Sequence, residues 1–146
     1  MSFTVVCNSR FLYSGTSPGN CKYGFDWSLF EDCPYKVHLK FSSQDLQNIG
    51  DVLFTVSLPD LGVNLNSYIA STTTTATSSS VVAIIAPIYL VIDGPLNIQY
   101  LEGESTFTIP NKPRNSTFTV YIRDSNNIEL TSASTNYIMT LFFEKV

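Results

Sequence analysis

The last third of the chain contains two segments whose side-chain patterns constrain the fold more than any other part. Residues 116–123 (S-T-F-T-V-Y-I-R) alternate, with apolar side chains at Phe118, Val120 and Ile122. A period of two is the pattern of a strand with one buried face. Residues 136–144 (N-Y-I-M-T-L-F-F-E) are apolar on both faces. Such a strand lies centrally between packed layers or is covered by a partner chain.

Strand patterns recur along the rest of the chain, whereas helical spacing is confined to one short stretch. The eight predicted strands lie near residues 3–6, 22–28, 35–41, 52–58, 82–92, 96–101, 117–123 and 136–144. Residues 102–104 (E-G-E) predict a solvated turn, followed by a short strand at 105–109. Short strands joined by turns, with no fixed repeat, predict an all-β fold. We expect an eight-stranded antiparallel β-sandwich of jelly-roll type, with little or no helix.

The length of 146 residues predicts a single domain, residues 1–146, that is large enough to bury a core. Residues 71–80 (S-T-T-T-T-A-T-S-S-S) form a low-complexity stretch that predicts a surface loop. The following residues, 81–92, are almost continuously apolar. They predict a strand that is buried on both faces or that bends at Pro87. This stretch is shorter than the roughly 20 residues of a membrane-spanning helix, so we expect no membrane span.

The cysteines and the N-terminus bear on the compartment. The first residues carry no charged segment ahead of an apolar run of signal-peptide length, so we expect synthesis in a reducing, cytosolic compartment. Three cysteines, an odd number, argue against a disulfide framework. Cys7, Cys21 and Cys33 could join His38 as zinc ligands, but the close ligand spacing of recognisable zinc sites is missing. Buried free thiols are the favoured interpretation, and no metal is predicted.

The charge pattern narrows the classes of partner. The eight basic residues are scattered and the net charge is −4, so the sequence shows no basic stripe for a nucleic acid and we expect no such partner. Charged residues make up 14 % of the chain, below the usual quarter or so. This low value is typical of a protein whose surface is covered in an assembly, but also of a compact all-β domain.

Catalytic equipment is sparse in this sequence. The single histidine, His38, falls on the outward face of a predicted strand between two lysines. The catalytic motifs of hydrolases, nucleotide-binding enzymes and metalloproteases do not occur. Glu102 and Glu104 would share a face only if the chain between them were extended. We therefore predict that the protein is not an enzyme and has no cofactor.

Several segments together resemble one family. They are the N-terminal strand and turn of residues 3–15, Y-G-F-D-W at 23–27, P-Y-K-V-H-L-K-F-S at 34–42, N-S-T-F-T-V-Y-I-R-D at 115–124, and Y-I-M-T-L-F-F at 137–143. The chain resembles the small single jelly-roll structural proteins of large icosahedral DNA viruses and virophages. In those viruses such proteins are minor capsid or penton-like vertex components beside a double jelly-roll major capsid protein.

The resemblance implies a role in a virion that is assembled from proteins made in the host cytoplasm. The implied partners are other capsid proteins, above all a double jelly-roll major capsid protein, and a homo-oligomer is open. The candidate assembly surface consists of Ile138 and Phe142, on the outer face of the last strand, and Tyr68 in the long loop of residues 64–80.

A glycan- or receptor-binding β-sandwich, such as a viral attachment module, is the alternative function. Trp27 and Tyr13 are the candidates for stacking on a sugar ring. Tyr23, Phe25 and Trp27 also have the spacing of a core-facing stripe, which is the commoner role of such residues.

Overall fold

The computed structural model describes residues 2–9, 14–17, 19–43, 54–61, 81–91, 97–124, 129–130 and 136–146, with the backbone alone for residues 14–17, 81–82, 84–91 and 97–101. These residues contain nine strands: β1 (Ser2–Asn8), β2 (Ser14–Ser17), β3 (Asn20–Gly24), β4 (Tyr35–Ser43), β5 (Phe54–Ser57), β6 (Val81–Val91), β7 (Asn97–Ile109), β8 (Thr117–Asp124) and β9 (Tyr137–Lys145). A 3₁₀ turn follows β5 at Pro59–Leu61. The predicted loop at residues 71–80 lies outside the described residues.

The strands pair antiparallel in the order β1-β9-β4-β7-β6-β5-β8-β3-β2. β6 changes partner along its length, because residues 81–85 pair with β5 and residues 86–91 pair with β7. The change lies one residue before Pro87, whose ring removes a backbone N–H donor. β6 therefore separates a first sheet (β1, β9, β4, β7) from a second sheet (β5, β8, β3, β2). The two pack as an antiparallel all-β sandwich, which confirms this coarser part of the predicted fold.

Alternating side chains from both sheets fill the core between them. The predicted inward positions of β8, Phe118, Val120 and Ile122, are all buried. The largest fully buried side chains are Tyr137, Phe41, Phe118, Phe143, Leu39, Leu58, Ile109, Ile122 and Met139. Each such side chain contributes roughly 1.5–3 kcal/mol when it leaves water. The apolar residues that alternate in the sequence thus form the inner faces of the two sheets.

Aromatic rings close one end of the sandwich. The ring of Phe3, on β1, stacks on Phe143 of β9 with centroids 4.7 Å apart, and on Phe30 with centroids 3.5 Å apart. Trp27 packs beside them, 5.5 Å from the ring of Phe143. Lys112 donates a hydrogen bond of 2.8 Å to the backbone carbonyl of Phe30. This contact fixes the turn that carries Phe30 over the end of the core.

Two predicted boundaries are wrong, and local contacts explain both. Residues 102–104 form no turn, since β7 continues through them and Gly103 pairs with Phe41 of β4. The strand predicted at residues 22–28, which corresponds to β3, ends at Gly24 instead of residue 28. There the carboxylate of Asp26 accepts a hydrogen bond of 2.9 Å from the backbone N–H of Ser28, which turns the chain out of the sheet.

The short strand β2 was not predicted, and it raises the number of described strands to nine instead of eight. Gly19 sits in the connection between β2 and β3. Its N–H donates to the carbonyl of Leu130 (2.8 Å) and its carbonyl accepts from the N–H of Ile122 (3.0 Å). A Cβ atom at this position would lie 2.5 Å from the backbone nitrogen of Leu130 and 2.7 Å from the carbonyl oxygen of Ile122. Only glycine fits this close backbone approach.

Candidate functional site

Alternate residues of four strands point away from the core and form one face of the first sheet, which we call the outer face. Its members are Ser2, Thr4, Val6 and Asn8 of β1; Ile138, Thr140, Phe142 and Glu144 of β9; Lys36, His38, Lys40 and Ser42 of β4; and Glu102, Glu104, Thr106 and Thr108 of β7. β9 is central in this sheet, between β1 and β4. β9 is thus a central strand, and its second apolar face points outward.

Three exposed apolar side chains cluster on the β1–β9 half of the outer face. Val6 is 62 % exposed, Ile138 is 45 % exposed and Phe142 is 37 % exposed. Val6 pairs with Thr140, which lies between Ile138 and Phe142 on β9, so the three are diagonal neighbours. The structure therefore places both sequence-predicted residues of β9 on an open surface. It adds Val6, whose position relative to β9 only the strand register reveals.

The β4–β7 half of the outer face is charged but balanced. Lys36 of β4 lies directly opposite Glu144 of β9, and Lys40 lies directly opposite Glu104 of β7. Opposite charges at facing positions of neighbouring strands stabilise a sheet by a few tenths of a kcal/mol, roughly. Because each lysine has a carboxylate opposite, this half adds little net charge beside the apolar cluster.

His38 connects the charged half to Phe142. Its Nε2 lies 3.4 Å from Oε2 of Glu144, and its Nδ1 lies 3.2 Å from the hydroxyl oxygen of Thr106. In a neutral ring these contacts fit one tautomer, in which Nε2–H donates to the carboxylate and Nδ1 accepts from the hydroxyl. The ring also lies 5.9 Å from that of Phe142. Sequence analysis could not find these partners, because they come from other strands.

A shallow depression of about 540 Å³ surrounds this histidine. Its lining residues are His38, Leu39, Lys40, Glu104, Ser105, Thr106, Thr140 and Phe142. The hydroxyl–imidazole–carboxylate order has the chemistry of a nucleophile, a base and an orienting acid. The side chains of His38 and Glu144 are, however, 41 % and 55 % exposed, and both contacts are long for hydrogen bonds. The arrangement orients the ring on an open surface rather than activating Thr106.

Of the two candidates for sugar stacking, Trp27 lies within the described residues. Trp27 is only 4 % exposed, with its ring 4.5 Å from Phe25 and 5.5 Å from Phe143. Its ring is buried among other aromatic rings, so the expectation that Trp27 stacks on a sugar is wrong. The core-facing interpretation is confirmed for Tyr23 and Trp27, whereas Phe25 is only partly buried. Tyr13 lies outside the described residues, as does Tyr68 of the candidate assembly surface.

A buried polar cluster lies between the sheets. The hydroxyl of Tyr23, on β3, donates a hydrogen bond of 2.8 Å to the hydroxyl of Tyr137, on β9. Burial raises the pKa values of both tyrosines and of Cys21, and it raises the pKa of Cys7 to about 12. All four groups therefore stay protonated at neutral pH. The two thiols are poor nucleophiles, since the thiolate is the reactive form.

The four residues weighed as zinc ligands are not brought together. Cys7 and Cys21 are buried in the core, whereas Cys33 is partly exposed and His38 lies on the outer face. Across the described residues, no group of three or more histidine, cysteine, aspartate or glutamate side chains is placed to hold a metal ion.

Comparison with protein-family models and with curated proteins finds no match to this sequence. Within the part of the chain that the structure describes, no helix is long and apolar enough to cross a membrane.

Proposed function

We propose that the chain is a structural component of an icosahedral viral capsid, a minor capsid or vertex protein that acts through contacts with neighbouring subunits. The observation that carries the proposal is the exposed apolar cluster of Val6, Ile138 and Phe142 on the outer face. Ile138 and Phe142 stand on β9, which is paired on both sides, and Val6 stands on β1 beside it, so the three are held on one sheet surface. A contiguous apolar patch with a polar surround is typical of a protein–protein contact.

The order of the strands supports a jelly-roll fold, which the family resemblance also implies. One sheet has the order β1-β9-β4-β7, and the other contains β3-β8-β5-β6, with β2 as an added edge strand. First and last strands are adjacent and, with β2 set aside, successive strands alternate between the sheets except for the β5–β6 hairpin. This is the wrapping that two Greek keys produce. Since jelly rolls serve several functions, the fold supports the capsid role only together with the outer face.

The proposed occupant of the outer face is a neighbouring capsid protein, above all a double jelly-roll major capsid protein. Lysines and carboxylates already lie opposite one another on the charged half, so docking there leaves few charges without a partner. Desolvated unpaired charges oppose binding, and interface cores are depleted of charge. In this proposal the protein is made in the host cytoplasm and resides in the virion.

Phe142→Ser tests the proposal, with Thr108→Ser as a control on the same face but on β7. Both side chains are exposed, so both variants should fold with melting temperatures close to that of the wild type. We expect Phe142→Ser to reduce incorporation into particles several-fold, whereas Thr108→Ser incorporates normally. Unchanged incorporation and solubility of a folded Phe142→Ser variant would show that the contact lies elsewhere.

A glycan-binding sandwich is the second candidate, and one observation favours it. Phe142 stands in the depression beside His38, Lys40 and Thr106, so an exposed ring adjoins hydrogen-bonding groups. This is the chemistry of a sugar site, with an apolar platform and a polar rim. Thr106→Val and Lys40→Ala separate the two functions. They should abolish a signal on a glycan array if the site binds sugars, but leave particle incorporation unchanged if the apolar cluster makes the contact.

A further inference from the structure

β1 is the terminal strand of the first sheet, and its outer edge offers a place for another strand. Among the described residues, only β9 pairs with β1. An edge strand presents alternate backbone N–H and C=O groups that can continue the sheet with another chain. β1 runs over Ser2–Asn8 without a shift of register against β9, so this edge is regular along seven residues.

Natural edge strands are usually protected, but the sequence of β1 carries none of the protective residues. Its sequence, S-F-T-V-V-C-N, contains no charged residue, no proline and no glycine. The strand at the other end of the order, β2, has only four residues and shows a register shift between Gly15 and Ser17. Short length, bulges and charge are the features that prevent edge pairing. β2 thus has the properties of a protected edge, and β1 has the properties of a pairing edge.

A depression of about 360 Å³ lies beside β1, where the open side of the sandwich separates β1 from β3. Its lining residues are Val5, Val6, Cys7, Asn8, Tyr23, Gly24, Phe25 and Phe118. The edge of β1 therefore adjoins a largely apolar surface that an added strand and its own sheet would cover. Covering apolar surface would add to the hydrogen bonds that the edge can form.

We infer that β1 pairs antiparallel with β1 of a second copy of this chain, which joins the first sheets of two protomers across a two-fold axis. The sequence of β1 is complementary to itself in this arrangement. Overlap centred on Val5 places Phe3 opposite Cys7, Thr4 opposite Val6, and Val5 opposite Val5 of the other copy. No charges meet, and the central pairs are β-branched residues, which suit facing positions in a sheet. The same patch meets itself, so the contact closes as a dimer.

The net charge of the chain bears on which strand pairs with the edge of β1. Each chain carries a net charge of −4, so two copies repel one another unless they meet through a neutral surface. The edge of β1 is neutral over its whole length, and the two depressions face each other across the axis. This pairing concerns the edge of the sheet and does not depend on a capsid role for the outer face.

The test changes charge at two exposed positions, Thr4 and Val6, which face one another across the proposed axis. In Thr4→Lys/Val6→Lys, like charges face each other twice, so the dimer should weaken by about tenfold or more. Thr4→Glu/Val6→Lys is the matched control, because the same positions then carry opposite charges and the dimer should persist. Light scattering over protein concentrations of about 1–200 µM gives the mass of each protein.

Each result decides the matter. A wild-type dimer that the two lysines weaken and the glutamate–lysine variant retains supports the pairing. A wild-type monomer at all concentrations, a dimer that resists both lysines, or a folded glutamate–lysine variant that stays monomeric would overturn it. If the variants do not fold, hydrogen exchange of the wild type replaces them. Protection of the amides of residues 2–8 must then rise with protein concentration, and unchanged protection would overturn the inference.

Discussion

The hydrogen bond between Tyr23 and Tyr137 joins the two sheets inside the core, and its removal gives a quantitative prediction. Tyr137 is completely buried and Tyr23 is 6 % exposed. Tyr23→Phe takes the donor away from the hydroxyl of Tyr137, and Tyr137→Phe leaves the hydroxyl of Tyr23 without this acceptor. A buried polar group that loses its partner costs about 1–3 kcal/mol, so each single variant should lose stability in that range.

The double variant should lose less than the sum of the two single variants. With both hydroxyls gone, no tyrosine oxygen is left behind in the core, and replacing both partners by apolar groups is much cheaper than replacing one. We expect a coupling energy of about 1 kcal/mol between the positions. Cys21 also contacts both hydroxyls, which keeps the single costs below the top of the range.

Urea unfolding monitored by fluorescence measures these free energies of unfolding, and the m-value should be the same for all variants. Tyr35→Phe provides the control, because the hydroxyl of Tyr35 donates to the carbonyl of Glu31 (2.9 Å) and shares no partner with Tyr23. The costs of Tyr35→Phe and Tyr23→Phe should therefore add. If the costs of Tyr23→Phe and Tyr137→Phe also added, the two hydroxyls would not act as a pair and the reasoning would be refuted.

Two further predictions concern the core. Gly19→Ala should destabilise the protein by about 1–3 kcal/mol or more, since the new Cβ would meet backbone atoms of Ile122 and Leu130 that cannot move aside. A loss of stability below about 0.5 kcal/mol in urea unfolding would contradict this contact. Stability should fall as pH rises from 9 towards 12, because the Cys7 thiol, with its pKa raised from 9.0 to about 12, stays protonated in the folded chain while the unfolded chain ionises. The slope is about 1.4 kcal/mol per pH unit for each such group, so Cys7→Ala should flatten it by about that amount, and an unchanged slope would exclude this thiol as a cause.

Local patterns predicted the strands wherever packing on one face decides the structure. The alternation in β4 identified inward and outward side chains correctly, because the pleat of a strand has the same period as the pattern. In β8 it identified the three buried apolar side chains, but Thr119, predicted to face outward, is buried as well. The turn predicted at residues 102–104 is wrong because pairing with β4 outweighs the turn tendency of the central glycine. Turn signals are weak compared with the hydrogen bonds and side-chain pairs of a full ladder.

The candidate site was only partly predictable, since its composition depends on the register of distant strands. Ile138 and Phe142 follow from the pattern of β9 alone. The partners of His38 come from positions 68 residues away (Thr106) and 106 residues away (Glu144) along the chain, and no local pattern carries that information. For the same reason Val6 could not be assigned to the apolar cluster before β1 was placed beside β9.

The most direct measurement for the capsid role is the distribution of this chain between particles and free protein in the source that produces it. Icosahedral particles purified by sedimentation should contain the chain in a fixed ratio to a double jelly-roll major capsid protein, as quantified by mass spectrometry. The wild-type chain should remain with the particles through washes at high salt, because the apolar cluster of the outer face makes the contact. A chain that stays in the soluble fraction, or that varies freely in ratio to the shell, would contradict the proposed function.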